Sequence, residues 1–172
     1  MQTTTNTSSD PTTHHPDPVK VHQAIEKRSF ATLATTSAAG RPHVAGVLFD
    51  AVGEVMYVNT LRTSRKARNV MANPHVAVVV PIRRLPVGPP STVQFQAPAR
   101  VLGLDDPEIR HLVADGQLGS ITSHGELDMA DGCFLRIPIP GRLITYGLGM
   151  PLRRLIADPM GAGGVVEGGA ER

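Results

Sequence analysis

The spacing of apolar and polar residues predicts a mainly β protein. Residues 30–37, FATLATTS, alternate with period two, as in a strand with one buried face. Residues 43–50 and 54–60 read as strands on either side of a turn at Gly53, and we expect these two to form a hairpin. Residues 75–82, HVAVVVPI, are almost wholly apolar, which indicates a strand covered on both faces.

The second half of the chain continues this pattern. Residues 91–104, STVQFQAPARVLGL, read as one long strand in which Pro98 marks an edge or a bulge. A loop, RRLPVGPP at residues 83–90, precedes it. Residues 133–147 predict two more strands with a hinge at Pro140–Gly141.

Short helices are predicted between the strands. Residues 19–30 place Val19 and Ile25 on one side of a leading helix. Residues 105–119 open with an Asp cap and Pro107, which suits a first helical position. After the leading helix the order is β, β, β, α, β, β, α, β, β. This order favours a six- or seven-stranded antiparallel β-barrel, closed or split, with short helices.

The remaining helix, at residues 63–73, contains the residues that most strongly indicate a binding site. Its apolar residues recur at the spacing of one helical face, Thr63 or Ser64 suits an N-cap, and Pro74 ends it. Four cations lie close together around this face: Arg62, Arg65, Lys66 and Arg68. Free backbone N–H groups and the positive end of the helix dipole favour an anion at such a start.

Two other interpretations of these cations stay open from the residues alone. The pattern is also typical of a solvated basic face on an amphipathic helix. The cations, with Arg83 and Arg84, could follow a nucleic-acid backbone. The sequence has no zinc-ligand spacing, helix-turn-helix partner or aromatic RNA-binding pattern, and aromatic residues make up only 3% of it, so a nucleic-acid partner is not expected.

Composition limits the class of protein further. The 172 residues suit one domain at 19–157, between a disordered tail at 1–18 and a loose tail at 158–172. The net charge is +2, and the single cysteine, Cys133, is expected to be a buried thiol in a reducing, cytoplasmic setting. No membrane span or secretory signal is expected, and His14–His15 lack further metal ligands at useful spacing.

Five motifs together resemble those of one known superfamily. They are FATLAT (30–35), GRPHV (40–44), VMYVN (55–59), SRKARN (64–69) and NPHVAV (73–78). The combination resembles the pyridoxamine 5'-phosphate oxidase-like, FMN-binding split-barrel superfamily. The resemblance is good over residues 28–82 and looser as far as residue 147. It implies a homodimeric split barrel with a cofactor at the dimer interface.

The resemblance also implies a set of cofactor-binding residues. Ser64, Arg65 and Lys66 would hold the cofactor phosphate. The strand before them would flank the ring system with Tyr57, Val58 and Asn59, and residues 42–47 would lie along the isoalloxazine ring. Thr92 would approach the cofactor from across the dimer. The complete set of cofactor-binding residues is Pro42, His43, Val44, Tyr57, Val58, Asn59, Ser64, Arg65, Lys66, Arg68 and Thr92. No catalytic residue and no metal ligand is assigned.

Departures from the superfamily pattern narrow the expected function. Residues near Pro42 and Val47 are apolar or neutral where true pyridoxamine 5'-phosphate oxidases carry an Arg and a Lys, and the chain has no Trp. The motif Lys66-x-Arg68-Asn69 is more similar to the flavin/deazaflavin oxidoreductase branch. That branch uses FMN or coenzyme F-420, whose polyglutamate tail suits Arg62 and Arg68, and some members bind heme. The resemblance therefore implies hydride transfer to a small conjugated substrate near Val44, Val47 and Val79, or cofactor binding without turnover.

Overall fold

A computed structural model describes residues 16–82 and 91–167, and these fold mainly as antiparallel strands. A six-stranded sheet has the order β10-β9-β6-β5-β1-β2, and a four-stranded sheet has the order β3-β4-β8-β7. The strands are β1 (Phe30–Thr36), β2 (Pro42–Leu48), β3 (Asp50–Val52), β4 (Val55–Leu61), β5 (His75–Ile82), β6 (Ser91–Pro98), β7 (Arg100–Gly103), β8 (Gly132–Pro138), β9 (Arg142–Tyr146) and β10 (Gly163–Glu167). The predicted antiparallel split barrel is confirmed, with more strands than the six or seven expected.

Within the described residues four short α-helices accompany the sheets: α1 (Pro18–Glu26), α2 (Arg65–Ala72), α3 (Pro107–Ala114) and α4 (Leu152–Ala157). Side chains of Asp17, Ser64 and Asp106 accept backbone hydrogen bonds at the starts of the first three helices. Such caps satisfy N–H groups that a helix leaves free at its start. None of the helices in the described residues is long and apolar enough to span a bilayer.

In the described residues the chain passes between the two sheets at three buried positions, Phe49, Ala99 and Ile139, and once more through α2, which joins β4 to β5. The backbone N–H of each of these three residues donates to a carbonyl outside its own ladder. The acceptors are Ser29, Pro74 and Glu54, at 2.8–2.9 Å. Each crossing ends one strand and starts another in the opposite sheet, which encloses the core between the sheets.

These crossings correct two strand predictions. The expected hairpin forms only between β3 and β4, because the chain leaves the larger sheet at Phe49 and β2 pairs with β1 instead. The predicted long strand at residues 91–104 divides into β6 and β7, and Pro98 ends β6. The hinge at Pro140–Gly141 separates β8 from β9, as the sequence predicts.

The two ends of the chain also differ from expectation. Residues 163–167 form β10, paired with β9 along its whole length, so this part of the tail at 158–172 is ordered. Val166 is buried against the core, whereas the glycines around it hide the strand pattern in the sequence. The leading helix buries Val21 and Ile25 and leaves Val19 exposed. Residues 1–15, with His14 and His15, and the predicted loop at 83–90 lie outside the described residues.

Candidate functional site

The start of α2 is built around the hydroxyl of Ser64. Ser64 Oγ accepts the backbone N–H of Ala67 at 3.3 Å, and Thr60 Oγ1, at the end of β4, lies 3.2 Å from it. By the geometry of a helix, the N–H groups of Arg65 and Lys66 have no carbonyl four residues earlier within α2. These two N–H groups therefore face the region in which the sequence predicts an anion.

One side of α2 is fixed to the core. Ala67 and Val70 are buried between the sheets, and Asn69 is buried beside them. Asn69 Nδ2 donates to Thr35 Oγ1 of β1 at 2.9 Å. A buried amide that lost this bond would be left unsatisfied, so the contact holds the helix against the larger sheet.

A cleft of about 560 Å³ lies between α2 and the turn that joins β1 to β2. Arg65, Arg68 and Asn69 line it from α2, and Arg41 and His43 line it from the turn and β2. Apart from Ser37, the other described lining residues are alanines and a proline, so the described part of the wall holds three arginines and no carboxylate. The cleft is therefore strongly cationic.

Arg62 has a different environment from Arg65 and Arg68. Its backbone N–H donates to the carbonyl of Asp131 at 2.8 Å, and its guanidinium Nη1 lies 3.8 Å from Met71 Sδ. The backbone N–H of Thr63 donates to Asp131 Oδ2 at 3.0 Å. Hydrogen bonds from Thr63 hold the pKa of Asp131 below its usual range. Arg62 thus lies beside a carboxylate, outside the cationic cleft.

The three predicted residues on β4 divide between the two faces of the smaller sheet. Tyr57 is buried on the outer face of the smaller sheet, and its hydroxyl donates to Glu108 of α3. Val58 points into the core between the sheets. Asn59 is half-buried, and its Nδ2 has no hydrogen-bond partner in the described part of the chain. The structure thus separates Val58 from Tyr57 and Asn59, and the predicted role of all three at the ring remains a prediction.

Glu108 is also bound by a cation. Arg136 Nε donates to both of its carboxylate oxygens, at 2.8 and 3.2 Å. Burial opposes ionisation of Glu108, but the hydrogen bonds from Tyr57 and Arg136 outweigh it and lower the pKa of the carboxyl. Burial, and then the bond to Glu108, raise the pKa of Tyr57. This network holds α3 on the smaller sheet, and in it the charges of Glu108 and Arg136 are paired with each other.

The predicted residues on β2 and β6 divide between the two faces of the larger sheet. Pro42 and Val44 are exposed on its outer face, while His43 is half-buried and reaches the cleft. Thr92 is half-buried on β6, where it pairs with Pro81 and Tyr146 of the neighbouring strands. The outer face also exposes Phe30, Leu48 and Ile144.

Two further predictions concern groups near the site. Cys133 is fully buried opposite Thr60, and burial raises the pKa of its thiol. This environment suits the structural thiol expected from the sequence. No group of three or more His, Cys, Asp or Glu side chains suited to a metal ion occurs in residues 16–82 and 91–167.

Sequence reasoning missed four residues around α2. Arg41 stands in the quoted GRPHV motif, but only the three residues that follow it were assigned to the site. Thr60 contacts the cap, Thr35 holds Asn69, and Asp131 binds the N–H of Thr63 from about seventy residues further along the chain. Local spacing carries no signal for contacts of this range.

Comparison with known proteins places this geometry in a family. A family model described as pyridoxamine 5'-phosphate oxidase matches residues 18–129, well over half of the chain. The chain belongs to this family. The residues that match this pyridoxamine 5'-phosphate oxidase model include α2, those that line the cationic cleft, and α3. A search of curated protein sequences finds no significant match.

Solved structures related to this pyridoxamine 5'-phosphate oxidase family member share its fold. The heme storage protein HutZ of Vibrio cholerae is 23% identical, with a TM-score of 0.64 over 80% of this chain and 99% of that chain. A heme-binding protein of Mycobacterium smegmatis is 15% identical, with a TM-score of 0.65 over 80% and 57%. An FAD-binding protein of Mesorhizobium loti is 19% identical, with a TM-score of 0.59 over 72% and 88%. At these identities the likeness shows the fold alone.

Proposed function

We propose that this protein is a flavin- or deazaflavin-dependent oxidoreductase that binds the phosphate of its cofactor at the start of α2. The observation that carries the proposal is the set of free N–H groups and unpaired cations at Arg65 and Lys66, in a chain of this family. Within the described residues neither side chain has an ion-pair partner. An anion would offset both the cations and the positive end of the helix dipole.

The residues present fit a phosphate-bearing group. Arg65 can donate two parallel hydrogen bonds to phosphate oxygens, and Lys66 supplies a point charge. Ser64 keeps its hydroxyl on the helix cap and so holds the N–H groups in place. When bound, the flavin or deazaflavin supplies hydride transfer, and the protein supplies orientation and electrostatics.

We further propose that two copies pair through the outer face of the larger sheet. Phe30, Val44, Leu48 and Ile144 are each about half exposed or more on this face. Large apolar side chains left exposed on one face of a sheet suit an interaction site. Thr92 of β6 lies on the same face, so pairing would bring it towards a second copy.

A second candidate function is the storage or transport of a cofactor without turnover. Two proteins with the same fold are a heme storage protein and a heme-binding protein. A heme carrier needs an axial ligand, for which His43 at the cleft and His75 at the start of β5 are the nearest imidazoles to α2 in chain order. Flavin, deazaflavin and heme have distinct absorbance spectra, which separates the candidates directly.

The test is a titration of apo-protein with FMN, coenzyme F-420 and heme. We expect FMN or F-420 to bind at micromolar concentration, and Arg65→Ala and Lys66→Ala each to weaken it about tenfold, as expected for a charge-assisted hydrogen bond. Arg110→Ala, an exposed cation on α3, is the matched control and should leave affinity unchanged. Failure of both cofactors to bind would reject the proposal.

Turnover is tested separately from binding. The bound cofactor is reduced photochemically and mixed with a panel of conjugated acceptors such as quinones. An oxidoreductase should transfer the hydride faster than the free reduced cofactor does, whereas a carrier protein should slow the transfer or leave it unchanged.

A further inference from the structure

The segment that joins β9 to β10 carries the two most exposed large apolar side chains of the described residues. Met160 is 93% exposed and Ile156 is 66% exposed, and Leu152 beside them is 40% exposed. All three belong to residues 147–162, which we call the α4 arm because α4 lies at its centre. The arm lies beyond residues 18–129, which the family model matches, so its role does not follow from the family.

The inner side of the α4 arm is packed against the larger sheet. Leu155 is buried with Met150 and Ala162, and Tyr146 of β9 packs against them. The N–H of Gly147 donates to the carbonyl of Ala162 at 2.8 Å, which closes the arm at its base. Gly147 has a φ of 66°, which glycine adopts without strain. The exposed side chains therefore project from a packed support.

The helical repeat separates apolar and cationic side chains on α4. Leu152 and Ile156 are four residues apart, so they share one side of the helix, next to the buried Leu155. With 3.6 residues per turn, Arg153 lies roughly opposite Leu155. Arg153 and Arg154 are both exposed. The exposed surface of α4 thus has an apolar side and a cationic side.

The cations of the α4 arm are unpaired in the described part of the chain. Neither Arg153 nor Arg154 has a carboxylate oxygen within 4.0 Å there. Asp158, the one carboxylate of the arm, accepts the N–H of Gly161 at 2.9 Å. Two arginines and one aspartate give the arm a net charge of +1. A partner that complements it is anionic and also accepts apolar side chains.

We propose that the α4 arm attaches the protein to an anionic lipid surface. Leu152, Ile156 and Met160 would enter the boundary between the headgroups and the acyl chains. Arg153 and Arg154 would bind lipid phosphates, because arginine can reach the headgroups while its stem contacts apolar groups. This attachment is independent of the cofactor and goes beyond the proposed function.

The shape of the arm favours lipid over a protein partner. At 93% exposure, the side chain of Met160 contacts little else in the described chain, so it projects from the surface. A protein that bound it would need a matching pocket, whereas lipid headgroups rearrange around a projecting side chain. The flexible chain of methionine also adapts to varied surroundings. A second copy of this chain is the competing occupant.

Vesicle flotation of the full chain tests the attachment, with phosphatidylcholine vesicles compared with vesicles that also contain phosphatidylserine. We expect binding to the anionic vesicles that weakens at high salt, because salt screens the attraction of the arginines. Ile156→Ser and Met160→Ser should each weaken it about tenfold, since each removes an apolar side chain from the membrane. Arg153→Gln should weaken binding to the anionic vesicles only.

Two exposed side chains outside the arm provide matched controls. Val19→Ser changes an apolar residue of α1 that is 63% exposed, and Arg110→Gln changes an exposed cation of α3. Neither should change vesicle binding. All the substituted side chains are exposed, so the variants should fold, and circular dichroism checks this.

Tryptophan fluorescence gives a second measurement at the tip of the arm. The chain has no tryptophan, so Met160→Trp introduces a single reporter. Its emission should shift to shorter wavelength with anionic vesicles and be quenched by brominated acyl chains, since indole rings settle at the membrane interface. Val19→Trp should show neither effect. The absence of a shift for Met160→Trp would mean that the arm stays outside the membrane and would overturn the proposal.

The oligomeric state separates a lipid surface from a second copy. Sedimentation equilibrium without vesicles compares wild type with a double variant that combines Ile156→Ser and Met160→Ser. Unchanged association together with lost vesicle binding would support the proposal. Weaker association of the double variant would assign the arm to contacts between copies and overturn it. Failure of wild type to bind anionic vesicles would also reject it, as would equal binding by the double variant.

Discussion

The outer faces of the two sheets differ in what covers them. On the smaller sheet, α3 and the turns after it bury Tyr57 and Phe134, and Glu108 pairs with Arg136. On the larger sheet, Phe30 and Val44 are 48% and 63% exposed in the described chain. The outer face of the smaller sheet is covered by other parts of the chain, whereas the outer face of the larger sheet leaves apolar side chains exposed in the described residues.

The same contrast separates the cations. Arg136 is bound to a carboxylate and stabilises the fold, whereas Arg41 and Arg68 line a cleft without one. A chain gains little from placing unpaired arginines together, because their repulsion is unfavourable. We propose from this difference that the unpaired groups serve a ligand and that the exposed apolar face serves a second copy. The predictions below test this contrast in stability and in binding.

Removing an apolar side chain should have its largest effect on the covered face. Ile109→Ala creates a cavity beneath α3, where Ile109 is fully buried, and should cost about 2–5 kcal/mol of unfolding free energy. Ile144→Ala is the counterpart on the uncovered face. Its effect should grow with protein concentration, since it acts through pairing of copies.

Urea unfolding at low and high protein concentration measures both effects. The loss for Ile109→Ala should be the same at each concentration. Equal, concentration-independent losses for the two variants would contradict the proposal that the outer face of the larger sheet is an interface.

The paired charges should make a smaller, pH-dependent contribution. Glu108→Gln removes the charge that binds Arg136 and should cost about 2 kcal/mol at neutral pH, the range for hydrogen bonds to charged groups. The pKa of Glu108 is lowered in the folded state, so its contribution is present above the unfolded value, about 4.3, and is lost as the pH falls through the folded value. The gap between variant and wild type should therefore narrow in acid.

Glu167→Gln is the control for this pair. Glu167 lies 3.9 Å from Arg142 with both side chains exposed, so its loss should cost less than about 0.5 kcal/mol. Urea unfolding at neutral and acidic pH measures both. A gap for Glu108→Gln that stayed constant with pH would show that its ionisation does not stabilise α3.

The fold could be predicted from the sequence to the extent that it depends on local pattern. The alternation in residues 30–37 and the apolar run at 75–82 both mark strands that the structure contains. Phe49 looks like a strand residue, yet it lies where the chain changes sheets, because its backbone bonds to Ser29. Strand β10 was missed because its stability comes from pairing with β9.

The candidate site could be predicted only in part for the same reason. Capping residue type and spacing predicted the start of α2 with Thr63 or Ser64 as its cap, and the structure has Ser64 there. The cleft depends on Arg41 approaching α2 across a turn, and α2 is held by Asn69 and Thr35, thirty-four residues apart. Such contacts are set by the tertiary fold, so no local pattern reports them.

Breaking the Thr35–Asn69 bond should reduce stability by a smaller amount. Thr35→Val leaves the buried amide of Asn69 without its acceptor, which should cost about 1–2 kcal/mol. Thr36→Val, half-buried on the other face of β1, is the matched control and should change stability by less than about 0.5 kcal/mol. Urea unfolding compares the two, and equal costs would mean that the bond does not hold α2 in place.

Substitutions of Ser64 should have the smallest effect on stability, and two of them separate its structural role from its role in binding. Ser64→Ala removes the cap from Ala67 N–H and should cost about 1 kcal/mol. Ser64→Asp keeps a capping oxygen and should stay within about 0.5 kcal/mol of wild type, yet it places a negative charge where the phosphate is proposed to bind. FMN and F-420 titration should therefore show a greater loss of affinity for Ser64→Asp than for Ser64→Ala. If affinity instead followed stability, with the alanine variant weaker, the phosphate would bind away from the start of α2.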